Sequence, residues 1–426
     1  MLRFLPLFFL AWPEVYSQSI IPKIIIIEDF QSVQIHPVGN PQSLATIPLG
    51  KKQTLLVSLD DFSSNTQSLS YTWVHCNRDW TPSGLISSEY INGFLEGQLP
   101  LAELCFNTYQ PYSHISSTLP EENCMPRISG NYYLRIYEED PEDFLLQYPV
   151  VIFEQIADVQ SEIHRTMNLE LRNSHQEIDI IADLTNLSVQ NPFRDIRIGI
   201  VQNRNWRSIK MLAPRFLRNG FYDFNYNNGE NAFEGGNVFR FVDTKNIPIP
   251  TLRIRGYNLE KIWIATVRNE KPRGIDPFLF QDDARGGFVF RKQNSVMPNL
   301  EADYVVLDLF VKDVEKSGDR NLYVIGDFNQ YRALESCLLH YDTLVEAYRG
   351  RVLVKQGYLE YAIGEYNFDP SIDDLTWDLS WTEGNHWQCP NNYTSILYMR
   401  EWGKRYDRVI AIKNIRTNGS LGLGLN

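Results

Sequence analysis

The stretch Gly130-Asn-Tyr-Tyr-Leu-Arg-Ile-Tyr137 decides the fold of this chain, because its side chains alternate with the period of an extended strand. In a strand, Tyr132, Leu134 and Ile136 point to one face and the residues between them point to the other. The glycine that precedes the stretch is typical of a turn, and so is the acidic run Glu138 to Asp143 that follows it. We therefore predict a β-strand here that ends in a hairpin loop.

Strand-like segments of this kind recur along the whole chain. The pattern Gly-x-Tyr-x-Leu-x-Ile from Gly130 resembles the late strand of an immunoglobulin-like sandwich, in which a tyrosine closes a corner; any antiparallel strand after a glycine turn is the alternative. We predict an all-β fold of tandem immunoglobulin-like or early-set β-sandwich domains. The other strand-like segments are Thr54–Leu59, Tyr71–His75, Gln147–Phe153, Glu177–Ala182, Ile196–Val201, Val238–Val242, Lys261–Val267, Asp303–Val311, Arg351–Ile363 and Thr394–Ile412.

Length and composition shifts predict a division into consecutive domains. We expect a signal peptide over residues 1–17, an N-terminal sandwich over 18–157, a second sandwich over 158–300 and a C-terminal early-set-like sandwich over 301–426. Loop-rich sequence with many Pro, Gly, Asp and Arg residues precedes the last of these. One segment, Leu334 to Arg349, has spacing that also permits a helix.

The N-terminus and the charge balance indicate where the chain works. Arg3 precedes a short apolar run that Pro13 ends, which is typical of a secretory signal and too short to cross a bilayer of about 30 Å. We therefore expect an exported protein without membrane insertion. The formal net charge of −12 disfavours nucleic acid and anionic membrane surfaces as partners.

The chain has five cysteines, an odd number whose spacing fits no zinc pattern. Outside the cytoplasm, two disulfides are open possibilities, Cys105 with Cys124 and Cys337 with Cys389. Cys76 lies within a strand beside Trp73 and is interpreted as a small buried apolar residue.

The sequence contains none of the short motifs that mark hydrolases, zinc proteases or nucleotide-binding proteins. The glycines of Gly419 to Gly424 do not follow a strand, so they do not indicate a dinucleotide site. The acidic run Glu138 to Asp143 lacks the alternation of a calcium loop and is interpreted as a solvated turn. We expect no catalytic residues, no cofactor and no metal site, and hence no enzyme.

The segment Val324-Ile-Gly-Asp-Phe-Asn-Gln-Tyr331 resembles part of a glycogen-binding type of early-set sandwich. In such modules an aromatic side chain stacks on sugar rings, and Tyr331 occupies a position that permits this role. The alternative, which we favour, is that the Gly-Asp-Phe-Asn turn only closes a hairpin.

The order of many short motifs resembles the type IX secretion system plug protein family of Bacteroidetes. The motifs extend over nearly all of the chain that follows the predicted signal peptide. They are Trp73–Trp80, Glu89–Phe94, Phe106–Thr108, Pro111–His114, Leu119–Pro120, Ser129–Tyr132, Asn191–Asp195, Val201–Asn203, Trp206, Phe233–Arg240, Ala302–Tyr304, Leu353–Tyr358, Glu383–Trp387, Asn392–Thr394 and Arg405–Arg408.

The resemblance implies a periplasmic, non-enzymatic component that binds the periplasmic side of a large outer-membrane β-barrel translocon and seals its pore when idle. It does not imply which residues bind this partner. Trp73, Trp80 and Tyr132 are interpreted as residues of the core or of fixed loops. The chain departs from the family pattern by having Cys105 and Cys124. The alternative function is a secreted carbohydrate-binding or adhesion protein that acts through the C-terminal sandwich.

Overall fold

A computed structural model describes residues 20–63, 68–312, 321–369 and 374–417, and consists almost entirely of β-strands. The sheets confirm the predicted all-β class with stacked sandwiches. The predicted signal peptide and the segment Gly419 to Gly424 lie outside the described residues. Among the helices of the described residues, none is long and apolar enough to cross a membrane.

The first part of the chain contains twelve described strands and one short helix, α1 (Ser87–Tyr90). The strands are β1 (Ile25–Ile26), β2 (Phe30–Pro37), β3 (Thr46–Pro48), β4 (Leu55–Asp61), β5 (Ser70–Cys76), β6 (Ile91–Gly93), β7 (Glu96–Gln98), β8 (Glu103–Leu104), β9 (Ser113–Leu119), β10 (Cys124–Pro126), β11 (Gly130–Tyr137) and β12 (Phe144–Phe153).

The middle part contains α2 (Pro192–Asp195) and a second series of strands. These are β13 (Asp158–Arg165), β14 (His175–Asp183), β15 (Ile196–Gln202), β16 (Asn205–Leu212), β17 (Phe216–Arg218), β18 (Phe221–Asp223), β19 (Ala232–Glu234), β20 (Arg240–Asp243), β21 (Ile254–Leu259), β22 (Trp263–Val267) and β23 (Phe288–Phe290).

The last part begins with α3 (Pro298–Glu301) and has short 3₁₀ turns at Asp327–Asn329 and Glu335–Cys337. Its strands are β24 (Tyr304–Val311), β25 (Leu322–Ile325), β26 (Leu338–Asp342), β27 (Ala347–Lys355), β28 (Gly357–Asp369), β29 (Asp374–Asp378), β30 (Asn392–Met399) and β31 (Arg408–Arg416).

Four sheets lie on one another as a stack, and we number them by their position in it. Sheet 1 has the order β2-β4-β9-β8, and sheet 2 has the order β1-β12-β11-β5-β7 with β3 beside β12. Sheet 3 is β16-β15-β30-β31, and sheet 4 is β13-β14-β18-β17 with β19 beside β14. A separate apolar core fills the space between sheets 1 and 2, between 2 and 3, and between 3 and 4.

Strand β11 shows why the stack forms, because it is buried on both faces. Tyr132, Leu134 and Ile136 belong to the core between sheets 1 and 2, whereas Tyr133 faces the core between sheets 2 and 3. The Tyr132 hydroxyl donates to the Ile128 carbonyl oxygen at 2.8 Å. This bond to the backbone a few residues upstream has the form of the tyrosine corner that the sequence pattern suggested.

A separate part of the molecule, which we call the insert, interrupts the stack in sequence. Its strands, β20 to β29, form a ten-stranded sheet that encloses its own core. The chain then returns to the stack, because β30 pairs with β15 from Ile196↔Met399 to Gln202↔Tyr393. The strand pairing therefore runs across the expected division at residue 300, and the last strands complete the core of the second sandwich.

The helix that the spacing permitted over Leu334 to Arg349 is absent from these described residues. A 3₁₀ turn, strand β26 and the beginning of β27 occupy the segment. Pairing with β25 and β27 explains the difference, because partners that are distant in sequence override a weak local preference.

Candidate functional site: interdomain junctions and a free sheet face

Sheets 2 and 3 meet at an apolar junction made largely of aromatic side chains. Trp80 and Trp206 pack edge to face with ring centroids 5.1 Å apart, and Tyr133 lies 5.4 Å from Trp80. The Tyr398 hydroxyl donates to Asn131 Oδ1 at 3.0 Å. Because all of these groups are buried, the two sandwiches share an interior like that of one domain.

A buried carboxylate fixes the rim of this apolar junction. Asp407 accepts hydrogen bonds from the Arg78 backbone N–H at 3.1 Å and from Arg400 Nη2 at 2.6 Å. Arg400 also donates to Asn77 Oδ1 at 2.9 Å. Burial alone would raise the pKa of Asp407, but the hydrogen bonds from Arg400 and Arg78 hold it below its ordinary value. The loop that ends in Trp80 is therefore tied to sheet 3.

His75 lies beside the same rim and is 1% exposed. Its Nδ1 is 2.8 Å from Ser83 Oγ, and its ring meets those of Tyr132 and Tyr406 edge to face. Burial lowers the pKa of His75 to about 4. The imidazole is therefore neutral at neutral pH.

Sheet 1 meets the insert at a charged junction centred on Asp60. Lys355 Nζ donates to Asp60 Oδ2 at 2.6 Å, and the Tyr304 hydroxyl donates to the same oxygen at 2.6 Å. His114 Nδ1 lies 2.7 Å from the other carboxylate oxygen. The side chains of Asp60 and Lys355 are 1% and 0% exposed. The charges thus have no access to water, and each depends on its partners.

Lys355 has further partners at this charged junction. It donates to the Asn299 carbonyl oxygen at 2.7 Å, and its ammonium group lies 4.3 Å from the centre of the Tyr112 ring. Burial lowers the pKa of Lys355, although the Asp60 carboxylate opposes this. Asp303 completes the contact by accepting the backbone N–H groups of Tyr109 at 2.8 Å and Gln110 at 3.1 Å.

The chain passes into the insert near Arg240 and out of it near Glu383. These two residues bind each other, and we call the pair the neck. Arg240 Nε donates to Glu383 Oε1 at 2.9 Å, and Arg273 Nε donates to Glu383 Oε2 at 2.6 Å. Arg240 also bonds Glu270. At Gly235 the crossings touch, because a Cβ there would lie 2.1 Å from the His386 carbonyl oxygen. Only glycine allows this approach.

The residues that carry the family resemblance therefore meet at the junctions, although they are far apart in sequence. Trp80, Trp206 and Asp407 lie at the apolar junction, His114, Tyr304 and Lys355 at the charged junction, and Arg240 and Glu383 at the neck. Trp73, Trp80 and Tyr132 are buried, as expected for residues of the core and of fixed loops. The sequence alone does not pair these motifs, because their meeting depends on how the sheets stack.

Two hypotheses from the sequence do not fit the structure. Tyr331 is only 5% exposed and packs beside Trp377, whose Nε1 donates to the Tyr331 carbonyl oxygen at 3.0 Å. It is therefore not an exposed platform for a sugar ring. All five cysteines are free thiols, so neither the Cys105–Cys124 nor the Cys337–Cys389 disulfide is formed. Cys105 bonds Thr108 instead, and Cys337 lies beside Asn329.

The outer face of sheet 4 ends the stack and carries apolar side chains in contact with solvent. Directly paired residues share a face, so the pairings Ile181↔Asp223 and Phe216↔Asp223 place Ile181 and Phe216 on the same side. Phe221 lies two pairs further along and therefore on the same face. Phe216 is 59% and Phe221 42% exposed. We call this surface the free face.

Comparison with known proteins finds a family model that is similar to the first part of the chain. Residues 30–154 match the family model described as type 9 secretion system plug protein 1st domain. This match supports the resemblance that the motifs indicated, over the part of the chain that it covers. No curated protein matches the chain at a significant level.

A solved structure has the same fold over nearly the whole chain. It is the crystal structure of a hypothetical protein from Parabacteroides merdae ATCC 43184 at 2.30 Å resolution. The two share a TM-score of 0.87 at 23% identity, over 93% of this chain and 99% of the other. The similarity shows that the arrangement of the stack and the insert is a shared fold.

Proposed function

We propose that this protein is a non-enzymatic component of the type IX secretion system that binds the periplasmic side of the outer-membrane translocon barrel and seals its pore when idle. The observation that carries the proposal is the plug first-domain match over residues 30–154. The mature chain is then exported to the periplasm and acts at the inner face of the outer membrane. No cofactor or nucleic acid takes part in this role.

The junctions support this proposal because a seal must keep its shape under load. A pore cover that flexed between its sandwiches would open gaps. The apolar junction, the charged junction and the neck each fix one contact between parts of the molecule. A buried charged pair has one favourable geometry, and the Asp60–Lys355 pair in this way sets the position of the insert on sheet 1.

We further propose that the free face of sheet 4 contacts the barrel. Its exposed Phe216 and Phe221 are aromatic residues, which interfaces favour as anchors. Strand β17 is also an edge of its sheet within the described residues, so its backbone offers a place for strand addition. A barrel wall presents the matching chemistry, namely strand edges and apolar side chains.

Co-purification tests the proposal. A tagged wild-type chain, expressed in its native host, is expected to recover a large outer-membrane β-barrel. Deletion of the gene for this chain is expected to let in a large antibiotic that the outer membrane normally excludes. The double variant Phe216→Ser/Phe221→Ser should lose the barrel. The control Leu344→Ser changes a residue that is 93% exposed on the insert and should retain it. Recovery of no barrel by the wild type would refute the proposed binding.

The carbohydrate-binding alternative receives no support from the residue on which it depended. Tyr331 is enclosed by Phe239, Trp377 and Leu379 and cannot stack on a sugar from solution.

A further inference from the structure

Four side chains of the kinds that bind metal ions occupy neighbouring positions on the outer face of sheet 4. Glu162 pairs with Asp179, and His164 pairs with Glu177, across strands β13 and β14. Directly paired residues point to the same face, so the four side chains form a square of three carboxylates and one imidazole. Like charges at opposite positions destabilise a sheet, and here Glu162 faces Asp179. This surplus of carboxylates favours a bound cation.

Three of the four are close enough to share one ion. The possible ligand atoms of His164, Glu177 and Asp179 all lie within 4.8 Å of one another. His164 Nε2 and Asp179 Oδ2 are 2.9 Å apart. Zinc ligands at about 2.0–2.2 Å from the ion lie roughly 3–3.5 Å from each other, so only small side-chain movements are required.

Each of the three side chains is also held by a second partner. His164 Nδ1 is 2.9 Å from the Arg165 carbonyl oxygen, a contact that places the proton on Nδ1 and directs Nε2 toward Asp179. The Thr166 hydroxyl donates to Glu177 Oε2 at 2.6 Å. Such partners orient metal ligands in known metal sites.

Asn231 provides the third of these partners, and one of its own polar atoms lacks a partner in the described part of the chain. Its Nδ2 donates to Asp179 Oδ1 at 3.2 Å, and the residue is 0% exposed. Its Oδ1 has no hydrogen-bond partner among the described residues. A buried amide oxygen without a partner costs free energy unless a donor, such as an ion-bound water, reaches it.

We propose that His164, Glu177 and Asp179 bind a divalent zinc-type ion. Imidazole nitrogens and carboxylate oxygens both bind Zn²⁺ in proteins, and the imidazole favours zinc over Mg²⁺ or Ca²⁺. The side chains of His164 and Asp179 remain 29% and 30% exposed, so the ion can enter from solvent and retain a water molecule as its fourth ligand.

Without an ion, the same residues form an ion pair, which the metal must replace. Both ring nitrogens of His164 lie 2.9 Å from an oxygen acceptor, Nδ1 from the Arg165 carbonyl and Nε2 from Asp179 Oδ2, so each carries a proton in this arrangement. Binding then breaks the Nε2–H bond, forms a bond from Nε2 to the ion and releases the proton to the buffer.

Calorimetric titration of the whole purified chain with ZnCl₂ in metal-free buffer tests the proposal. We expect one ion per chain with micromolar or tighter affinity, and at least about tenfold weaker binding for His164→Asn and Asp179→Asn. Thr166→Val, which leaves all three ligands in place, should also weaken binding by about tenfold. The control His340→Asn removes an exposed histidine of β26 and should bind like the wild type.

Two results would overturn the proposal. The first is no heat of binding in the wild type. The second is equal affinity in the wild type, Thr166→Val and His164→Asn, which would place any bound zinc elsewhere, for example on a free cysteine. Because Thr166→Val changes no ligand, it keeps the test decisive even if a ligand variant does not fold.

Discussion

The apolar junction and the charged junction join large parts of the same molecule by opposite means. Between sheets 2 and 3, the core around Trp80, Trp206 and Tyr133 consists of apolar and aromatic side chains. Between sheet 1 and the insert, Asp60 and Lys355 lie fully buried and depend on each other. Apolar packing has no preferred direction, so shortening one side chain lowers the free energy of unfolding by a small amount. A buried ion pair fixes one geometry and fails when one partner is removed.

The difference indicates separate tasks for the two junctions. The apolar junction fuses two sandwiches into a continuous stack, whereas the charged junction sets where the insert lies on sheet 1. The sealing role that we propose would require both properties, namely cohesion and a defined outline.

The largest effect on stability is expected for Asp60→Asn at the charged junction. The substitution conserves volume but leaves the Lys355 ammonium buried without a counter-charge, which costs about 3–5 kcal/mol. Urea unfolding measures the loss. The double variant Asp60→Asn/Lys355→Met removes both charges and should regain most of it. A loss below about 1 kcal/mol in the single variant would show that the pair does not hold the insert.

Acid should weaken the rim of the apolar junction through His75. The folded pKa of about 4 lies below the ordinary 6.5, so the unfolded chain binds the proton more readily. Stability is therefore fully present above pH 6.5 and falls as the pH drops toward 4. Between pH 7 and pH 5 this contribution amounts to about 2 kcal/mol. The unfolding free energy should fall by about 2 kcal/mol more in the wild type than in His75→Gln when the pH is lowered from 7 to 5. Identical pH dependence in the two proteins would contradict the assignment.

A smaller effect is expected for Ile396→Val within the apolar junction. The substitution removes one buried methylene-sized group from sheet 3 and should cost about 0.5–1.5 kcal/mol. Denaturant titration beside Asp60→Asn compares the two junctions directly. A larger loss from trimming Ile396 than from the isosteric change at Asp60 would contradict the difference between the two junctions.

The smallest effect on stability is expected on the free face. Phe216→Ser should change the free energy of unfolding by less than about 0.5 kcal/mol, because the side chain is 59% exposed. Thermal unfolding checks this result. A large loss would mean that Phe216 supports the fold and is not available to a partner.

Much of the fold follows from local patterns in the sequence. The alternation in Gly130–Tyr137 and the hairpin loop after it appear in the structure as predicted, and of the two interpretations left open for Tyr132 the structure has the corner tyrosine. A strand has only two faces, so an apolar face and its period reveal it without knowledge of its neighbours.

The features that local sequence patterns do not predict depend on partners far apart in the chain. The pairing of β15 with β30 joins residues about 200 positions apart, and no local pattern specifies it. Burial of both faces of β11 hides which face meets which neighbour. The square of Glu162, His164, Glu177 and Asp179 has no fixed motif spacing, because a sheet register brings its members together.

The central claim is that the free face meets the outer-membrane translocon, and site-specific photo-crosslinking in the native host tests it most directly. A photoreactive phenylalanine analogue replaces Phe216 in one strain and Leu344, on the insert, in another. Mass spectrometry then identifies the crosslinked partner. Our account predicts a large outer-membrane β-barrel crosslinked at position 216 and none at position 344. No barrel at position 216, or a barrel at 344 alone, would contradict it.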